Sequence, residues 1–141
     1  MEQPLSPDCA IDSWFSSDAQ FNTLFPEPIR KMTRRHWTPL LVAHKAAAFL
    51  RTGPGVKILD IGSGCITEIT FKDYQHFYFY NSFYENLAET EKIDQAIPFS
   101  KELFEQYSYY LYKQLREARK GTRLVTYHSV ETEIPDEYQI V

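Results

Sequence analysis

Asp60, Gly62, Ser63 and Gly64 form the part of the chain best equipped for chemistry. They follow the apolar run Val56-Lys57-Ile58-Leu59, with Ile61 between the acid and the first glycine. An acid there stands at the carboxyl end of a buried strand, where open α/β sheets bind their ligands. Glycine has no Cβ, so Gly62 and Gly64 allow a sharp turn and a close approach of backbone to a bound group. Two glycines after a strand also make an ordinary tight turn, but the apolar strand before them and a helix upstream favour a ligand site. No Gly-Lys-Ser/Thr follows, so this is not the phosphate-cradling loop of nucleoside triphosphatases.

A second group, Asn81-Ser82-Phe83-Tyr84, ends the aromatic run Phe77-Tyr78-Phe79-Tyr80. A carboxamide at Asn81 can orient a planar amine or amide, and Phe83 or Tyr84 can stack on a ring. A core strand leaving its sheet through a polar turn explains the same residues equally well. The third group, Arg30 to Trp37, sets basic residues beside an aromatic, a combination that holds phosphate or nucleic acid. In an acidic chain a short basic run reads more readily as a solvated face. His36 and His128 have no carboxylate partner by spacing and read as structural. No paired carboxylates, Ser/His/Asp set or Cys/His set stands out, so the residues point to a cofactor that brings its own reactivity.

These groups need elements to position them. Residues 1–12, with Pro4 and Pro7, read as a loose arm, and residues 13–37 as an N-terminal helical segment interrupted by Pro26 and Pro28. Thr38-Pro39 reads as a hydroxyl N-cap with proline at the first helical position. The helix it opens is expected to run to about Arg51 with Leu40, Ala43, Ala47 and Leu50 on one face, stopped by Gly53-Pro54-Gly55. Strands are expected at Val56–Ile61, at Phe77–Tyr80, at Arg123–His128 and, as a short fourth one, at Tyr138–Val141. A long helix capped by Ser100 is expected from Lys101 to about Arg119, closed by Gly121. This alternation predicts one α/β domain over residues 1–141 with a mainly parallel sheet.

Composition narrows the function classes. A chain of 141 residues can bury a core without staples. A net charge of −4 argues against a general nucleic-acid binder, which needs an excess of Lys and Arg. Cys9 and Cys65 lie far apart without CxxC spacing, which suits a reducing cytoplasm and offers no zinc site. No apolar run approaches the roughly 20 residues of a membrane span, and the polar start is no signal peptide, so a soluble cytoplasmic protein is expected.

The stretch Val56 to Gly64 resembles the first motif of class I S-adenosylmethionine-dependent methyltransferases, in which strand one ends in an acid followed by a glycine loop. His36-Trp37-Thr38-Pro39 and its helix look like the segment preceding that motif. Phe77 to Tyr84 looks like the family's fourth strand and its exit, and Lys101 to His128 like the next helix and fifth strand. The resemblance implies a Rossmann-like, mainly parallel sheet flanked by helices, and S-adenosylmethionine as cofactor. It also implies site roles: Gly62, Ser63 and Gly64 against the methionine part, Asp60 on its amino group, Thr38 near its carboxylate end, and Asn81 and Tyr84 beside the transferred methyl group and the acceptor. A small molecule or a protein is the expected acceptor, with nucleic acid disfavoured by the net acidity. Asn81-Ser82-Phe83-Tyr84 departs from the Asn/Asp-Pro-Pro-Tyr/Phe pattern of amino-methylating enzymes by lacking both prolines.

The middle of the family's fold has no counterpart. The family places a helix, a second strand ending in a ribose-binding acid, a third strand and an adenine-contacting loop between the first motif and the fourth strand. Here twelve residues, Cys65 to His76, fill that interval, and Glu68 and Asp73 are merely nearby acids. A parallel crossover needs about a dozen residues and usually holds a helix, whereas Cys65–Phe71 reads as extended. The fold is therefore expected to be incomplete relative to the full seven-stranded methyltransferase fold. The alternatives are an inactive remnant, or a non-catalytic α+β interaction module in which Ile58 to Phe71 is a β-hairpin around Gly62-Ser63-Gly64 and exposed aromatics serve a partner. Parallel pairing of Ile58–Ile61 with Phe77–Tyr80 favours the methyltransferase reading; a hairpin with Thr67–Phe71 sinks it.

Overall fold

The computed structural model describes residues 17–31, 37–61, 66–80, 100–129 and 131–141. Two short helices, α1 (Asp18–Asn22) and α2 (Glu27–Arg30), precede α3 (Leu40–Leu50) and strand β1 (Ile58–Ile61). Strand β2 (His76–Tyr80), helix α4 (Lys101–Arg116) and strand β3 (Leu124–Tyr127) follow. The three strands form one sheet in the order β1-β2-β3, and both pairings are parallel. Leu59 lies opposite Phe77, Asp60 opposite Tyr78, and Tyr78 opposite Val125. The protein is thus a mixed α/β fold with a small parallel sheet flanked by helices.

The expected parallel pairing of β1 with β2 is present, and it rules out the alternative of a β-hairpin over Ile58 to Phe71. Residues Ile66–Glu68 and Phe71–Asp73 are 3-10 helices rather than strand. Ile66 and Phe71 are buried, and Ile69 and Tyr74 pack on the same cluster, because the apolar residues here recur at the spacing of tight turns rather than in strand alternation. The described part of the crossover from β1 to β2, residues 66–75, is therefore made in turns that use their apolar residues to line the sheet.

Side chains alternate across a strand, so the sheet has two distinct faces. Leu59, Ile61, Phe77 and Phe79 point to one face and meet Leu111 and Leu115 of α4. Fully burying each such side chain stabilises the fold by about 1.5–3 kcal/mol. Tyr78 points to the other face, against Ala46 and Leu50 of α3, with Ile58, Tyr80, Val125 and Tyr127 packed around them. The two helices therefore cover opposite faces of the sheet.

Helix α4 begins as expected: Ser100 Oγ accepts from Leu103 N at 3.2 Å. It ends at Arg116, earlier than Arg119, because Ala118 folds onto the core and Thr122 N donates to Arg119 O at 3.1 Å to close a turn. Gly121 sits in that turn at φ +87°, a left-handed conformation that favours glycine, rather than at the helix cap. Helix α3 is rotated from the expected face. Ala46 and Leu50 are buried and Val42 and Phe49 half-buried, while Ala43 and Ala47 face solvent. Its four alanines leave the helical phase open, and the larger Phe49 and Leu50 decide it.

Tyr138–Val141 is not a fourth strand; Ile140 and Val141 are 99% and 97% exposed. Tyr138 instead turns back, N–H to Pro135 O at 3.1 Å and hydroxyl to Leu115 O at 3.0 Å, which uses the residue that would have started the strand. Among the described residues no helix is long and apolar enough to cross a membrane.

Candidate functional site

In a parallel sheet all strands end on one rim. Here β1, β2 and β3 bring Asp60, Tyr80, Tyr127 and His128 to it, and the chain leading into α3 adds Thr38. Open α/β sheets bind ligands at this rim. Asp60 pairs in register with Tyr78 and therefore projects to the α3 face. Its residue keeps contact with solvent while the adjoining sheet desolvates the carboxyl and raises its pKa above the usual carboxylate value.

Tyr78 adjoins both Thr38 and Asp60, the two described residues among those expected in the site. Its hydroxyl and Thr38 Oγ1 share a hydrogen bond of 2.6 Å. Burial raises the Tyr78 pKa; the Thr38 hydrogen bond opposes the rise, and the negative charge of Asp60 adds to it. Thr38 and Tyr78 are thus hydrogen-bonded beside the start of α3, with Asp60 the cross-strand neighbour of Tyr78 on the same face. Thr38 does not cap α3, contrary to expectation. The N-cap is Pro39, which has no side-chain cap bond, and the Leu40 N–H is taken by Asp18 Oδ1 at 2.7 Å. The Thr38 hydroxyl, released from capping, is free to hold the tyrosine.

Beside this set lies an aromatic surface. The Tyr80 and Tyr127 rings are 5.4 Å apart, and the His128 ring meets Tyr127 edge-on at 4.2 Å and Tyr80 at 6.2 Å. His128 has φ +54°, rare outside glycine, and is held there at the end of β3. The rim thus carries a carboxyl, on β1, and a cluster of aromatic rings at the ends of β2 and β3, the kinds of group that attract a cation.

Of the residues expected in the site, Asp60 and Thr38 are brought together through Tyr78. Gly62, Ser63, Gly64, Asn81 and Tyr84 lie outside the described residues, as do His36 and most of the basic stretch Arg30–Trp37. Arg30 itself donates from Nε to Phe25 O at 2.7 Å and from Nη2 to Thr23 O at 3.2 Å, closing the turn between α1 and α2. The Phe25 ring packs at a tilt against Trp37, centroids 4.9 Å apart, which seats the N-terminal segment next to Thr38. Tyr78, Tyr80 and Tyr127 were read from the sequence as strand residues and not as site residues. The signal was the alternation His76-Phe77-Tyr78-Phe79-Tyr80, which puts every polar-tipped ring of β2 on one face.

The fit to S-adenosylmethionine is partial. Its cationic amino group suits the Asp60 carboxyl at the rim. No described acid is placed for the ribose: Glu68 is exposed in a crossover 3-10 helix, and Asp73 lies just before β2, at the amino end of the sheet. At that end His76 is buried, Nδ1 accepting from Arg123 N at 3.0 Å and Nε2 donating to Thr52 Oγ1 at 2.9 Å. Burial, and then the Arg123 charge, lower its pKa and keep the ring neutral. His76 therefore binds strands and helix together rather than serving the rim. Compared with known proteins, the chain matches no family model, no curated protein and no solved structure.

Proposed function

We propose that this chain binds S-adenosylmethionine at the carboxyl-end rim and transfers its methyl group to a small-molecule or protein acceptor. The observation that carries the reading is the parallel order β1-β2-β3 with Asp60 at the end of β1. In a doubly wound sheet with strand order 3-2-1-4-5-6, strands one, four and five are neighbours and the ligand lies at the end of strand one. Those are the three strands that the sequence resemblance assigns to β1, β2 and β3, and their order here agrees.

The bound cofactor supplies an activated methyl on a sulfonium, so the protein needs only alignment and a site that favours the cation. Asp60 holds the amino group, and the Tyr78–Thr38 pair fixes the start of α3 beside it. The tyrosines at the ends of β2 and β3 give the positive centre a surface of negative ring faces. Asn81 and Tyr84, which follow β2 in sequence, are assigned to the acceptor.

A second reading, a remnant that keeps the fold without catalysis, is favoured by one observation: the described part of the β1-to-β2 crossover holds two 3-10 turns, with no described acid at the ribose position. Calorimetry on the full chain separates the two readings. S-adenosylmethionine and S-adenosylhomocysteine are each expected to release heat with a saturable isotherm. Asp60→Asn is expected to weaken the first by about 10- to 100-fold, the worth of one hydrogen bond to a charged group. Folded protein that gives no heat at millimolar ligand, or an Asp60→Asn variant with undiminished affinity, rejects the cofactor assignment.

A further inference from the structure

Away from the rim, the outer edge of β3 borders an open cleft of about 1230 Å³ between α3 and the end of α4. Thr122 through Thr126 all line it. Because alternate side chains point to opposite faces, five consecutive lining residues mean that the backbone edge itself forms the wall. Phe77 N donates to Arg123 O at 3.0 Å, so Arg123, Val125 and Tyr127 direct their peptide groups to β2. The peptide groups of Leu124 and Thr126, which alternate with them, face the cleft. No described strand pairs with that edge.

The cleft is also strongly cationic in a chain whose net charge is −4. Lys45, Arg116, Arg119, Lys120 and Arg123 border it, against the single acid Glu137. Glu137 is engaged at 3.9 Å by Arg116. Arg123 is engaged as well: Nη1 donates to Phe49 O at 2.7 Å, with the guanidinium 5.0 Å from the Phe49 ring centre. Among the described residues Lys45, Arg119 and Lys120 form no ion pair. Three uncommitted cations thus stand around an unpaired strand edge, with Val42 and Phe49 supplying apolar walls.

We infer that this cleft is a docking site for an extended acidic peptide, which adds to β3 as a fourth strand. The outward N–H and C=O groups of Leu124 and Thr126 supply the main-chain pairing, and acidic side chains meet Lys45, Arg119 and Lys120. A second copy of this chain is a poorer occupant, because its own edge strand, Leu124–Tyr127, carries no acidic side chain to meet Lys45, Arg119 and Lys120. A phosphate backbone satisfies the cations but leaves the strand edge unpaired. The site is independent of the rim and of the methyltransferase reading.

The probe is a fluorescein-labelled, end-blocked hexapeptide of alternating glutamate and valine, followed by anisotropy. A saturable rise that weakens steeply with salt is expected, and none with the lysine–valine counterpart. Methylating alternate amide nitrogens of the peptide leaves its charge intact and removes strand pairing, so at least a tenfold loss is expected. Arg119→Glu combined with Lys120→Glu is expected to lose at least tenfold with an unchanged urea midpoint, since both side chains are exposed. Equal binding of the N-methylated peptide, equal binding of oligothymidylate, or sedimentation showing that the free protein is a dimer blocking the site would each overturn the assignment.

Discussion

Strand β2 shows two different ways of holding a helix. Toward α4 it presents Phe77 and Phe79, which are 2% and 0% exposed and have no polar atom. Toward α3 it presents His76, Tyr78 and Tyr80, rings with polar tips. Two of those tips bind threonines on either side of α3: Tyr78 to Thr38 before the helix, and His76 to Thr52 after it. The α4 face is held by area, which is non-directional and tolerates sliding. The α3 face is held by two directional bonds that set where the helix starts. Since the start of α3 delivers Thr38 to the rim, the face with less apolar packing is the one that positions the site.

Deleting a dry-face side chain is expected to have the largest effect. Phe79→Ala leaves a cavity against Leu111 and Leu115 and is expected to cost about 3–5 kcal/mol. The loss is read as a fall in the urea midpoint at constant slope. Next comes His76→Ala, which strands the Arg123 N–H and the Thr52 hydroxyl and is expected to cost about 1–3 kcal/mol.

The pH dependence of stability separates the faces further. His76 is kept neutral in the fold, so its contribution is complete above its ordinary pKa of 6.5 and is lost as pH falls through the lower folded value. On the α4 side, Glu133 is 1% exposed; Oε1 accepts from Ser108 Oγ at 2.9 Å and Oε2 has no partner among the described residues. Burial raises its pKa above the ordinary 4.5, so its contribution is complete below 4.5 and is lost as pH rises through the folded value. His76→Gln is expected to flatten the acid limb of a urea-midpoint profile and Glu133→Gln the other limb. A Glu133→Gln profile that keeps the wild-type slope would show that the carboxyl is not what titrates. The smallest expected effect is that of Tyr78→Phe, about 0.5–1.5 kcal/mol for one hydrogen bond. A loss comparable to Phe79→Ala would mean that the α3 face carries more of the stability than its apolar area implies.

The strands and long helices were legible because each is marked locally. Val56–Ile61 is apolar between glycines, and Ser100 stands three residues before the amide that it caps. What was not legible depends on partners distant in sequence. The hydroxyl of Thr38 had two possible uses, and the choice was made by Asp18, twenty-two residues before Leu40, which took the capping role. The phase of α3 was hidden by its alanines. The turns of the β1-to-β2 crossover read as strand because Ile66, Ile69 and Phe71 lie close together in a β-prone run. In the candidate site Asp60 was found from its place after an apolar run, but Tyr127 acquires its place beside Tyr80 only through strand register.

The same bond from Asp18 has a consequence for how the molecule breathes. A helix that borrows its cap from another segment cannot keep its first turn when that segment departs, so α1 and the entry to α3 form one opening unit. The amide proton of Leu40 sits at the joint and exchanges with solvent only while the N-terminal segment is lifted. One resonance in a hydrogen-exchange spectrum would therefore clock how often Thr38 and the rim beside it are uncovered.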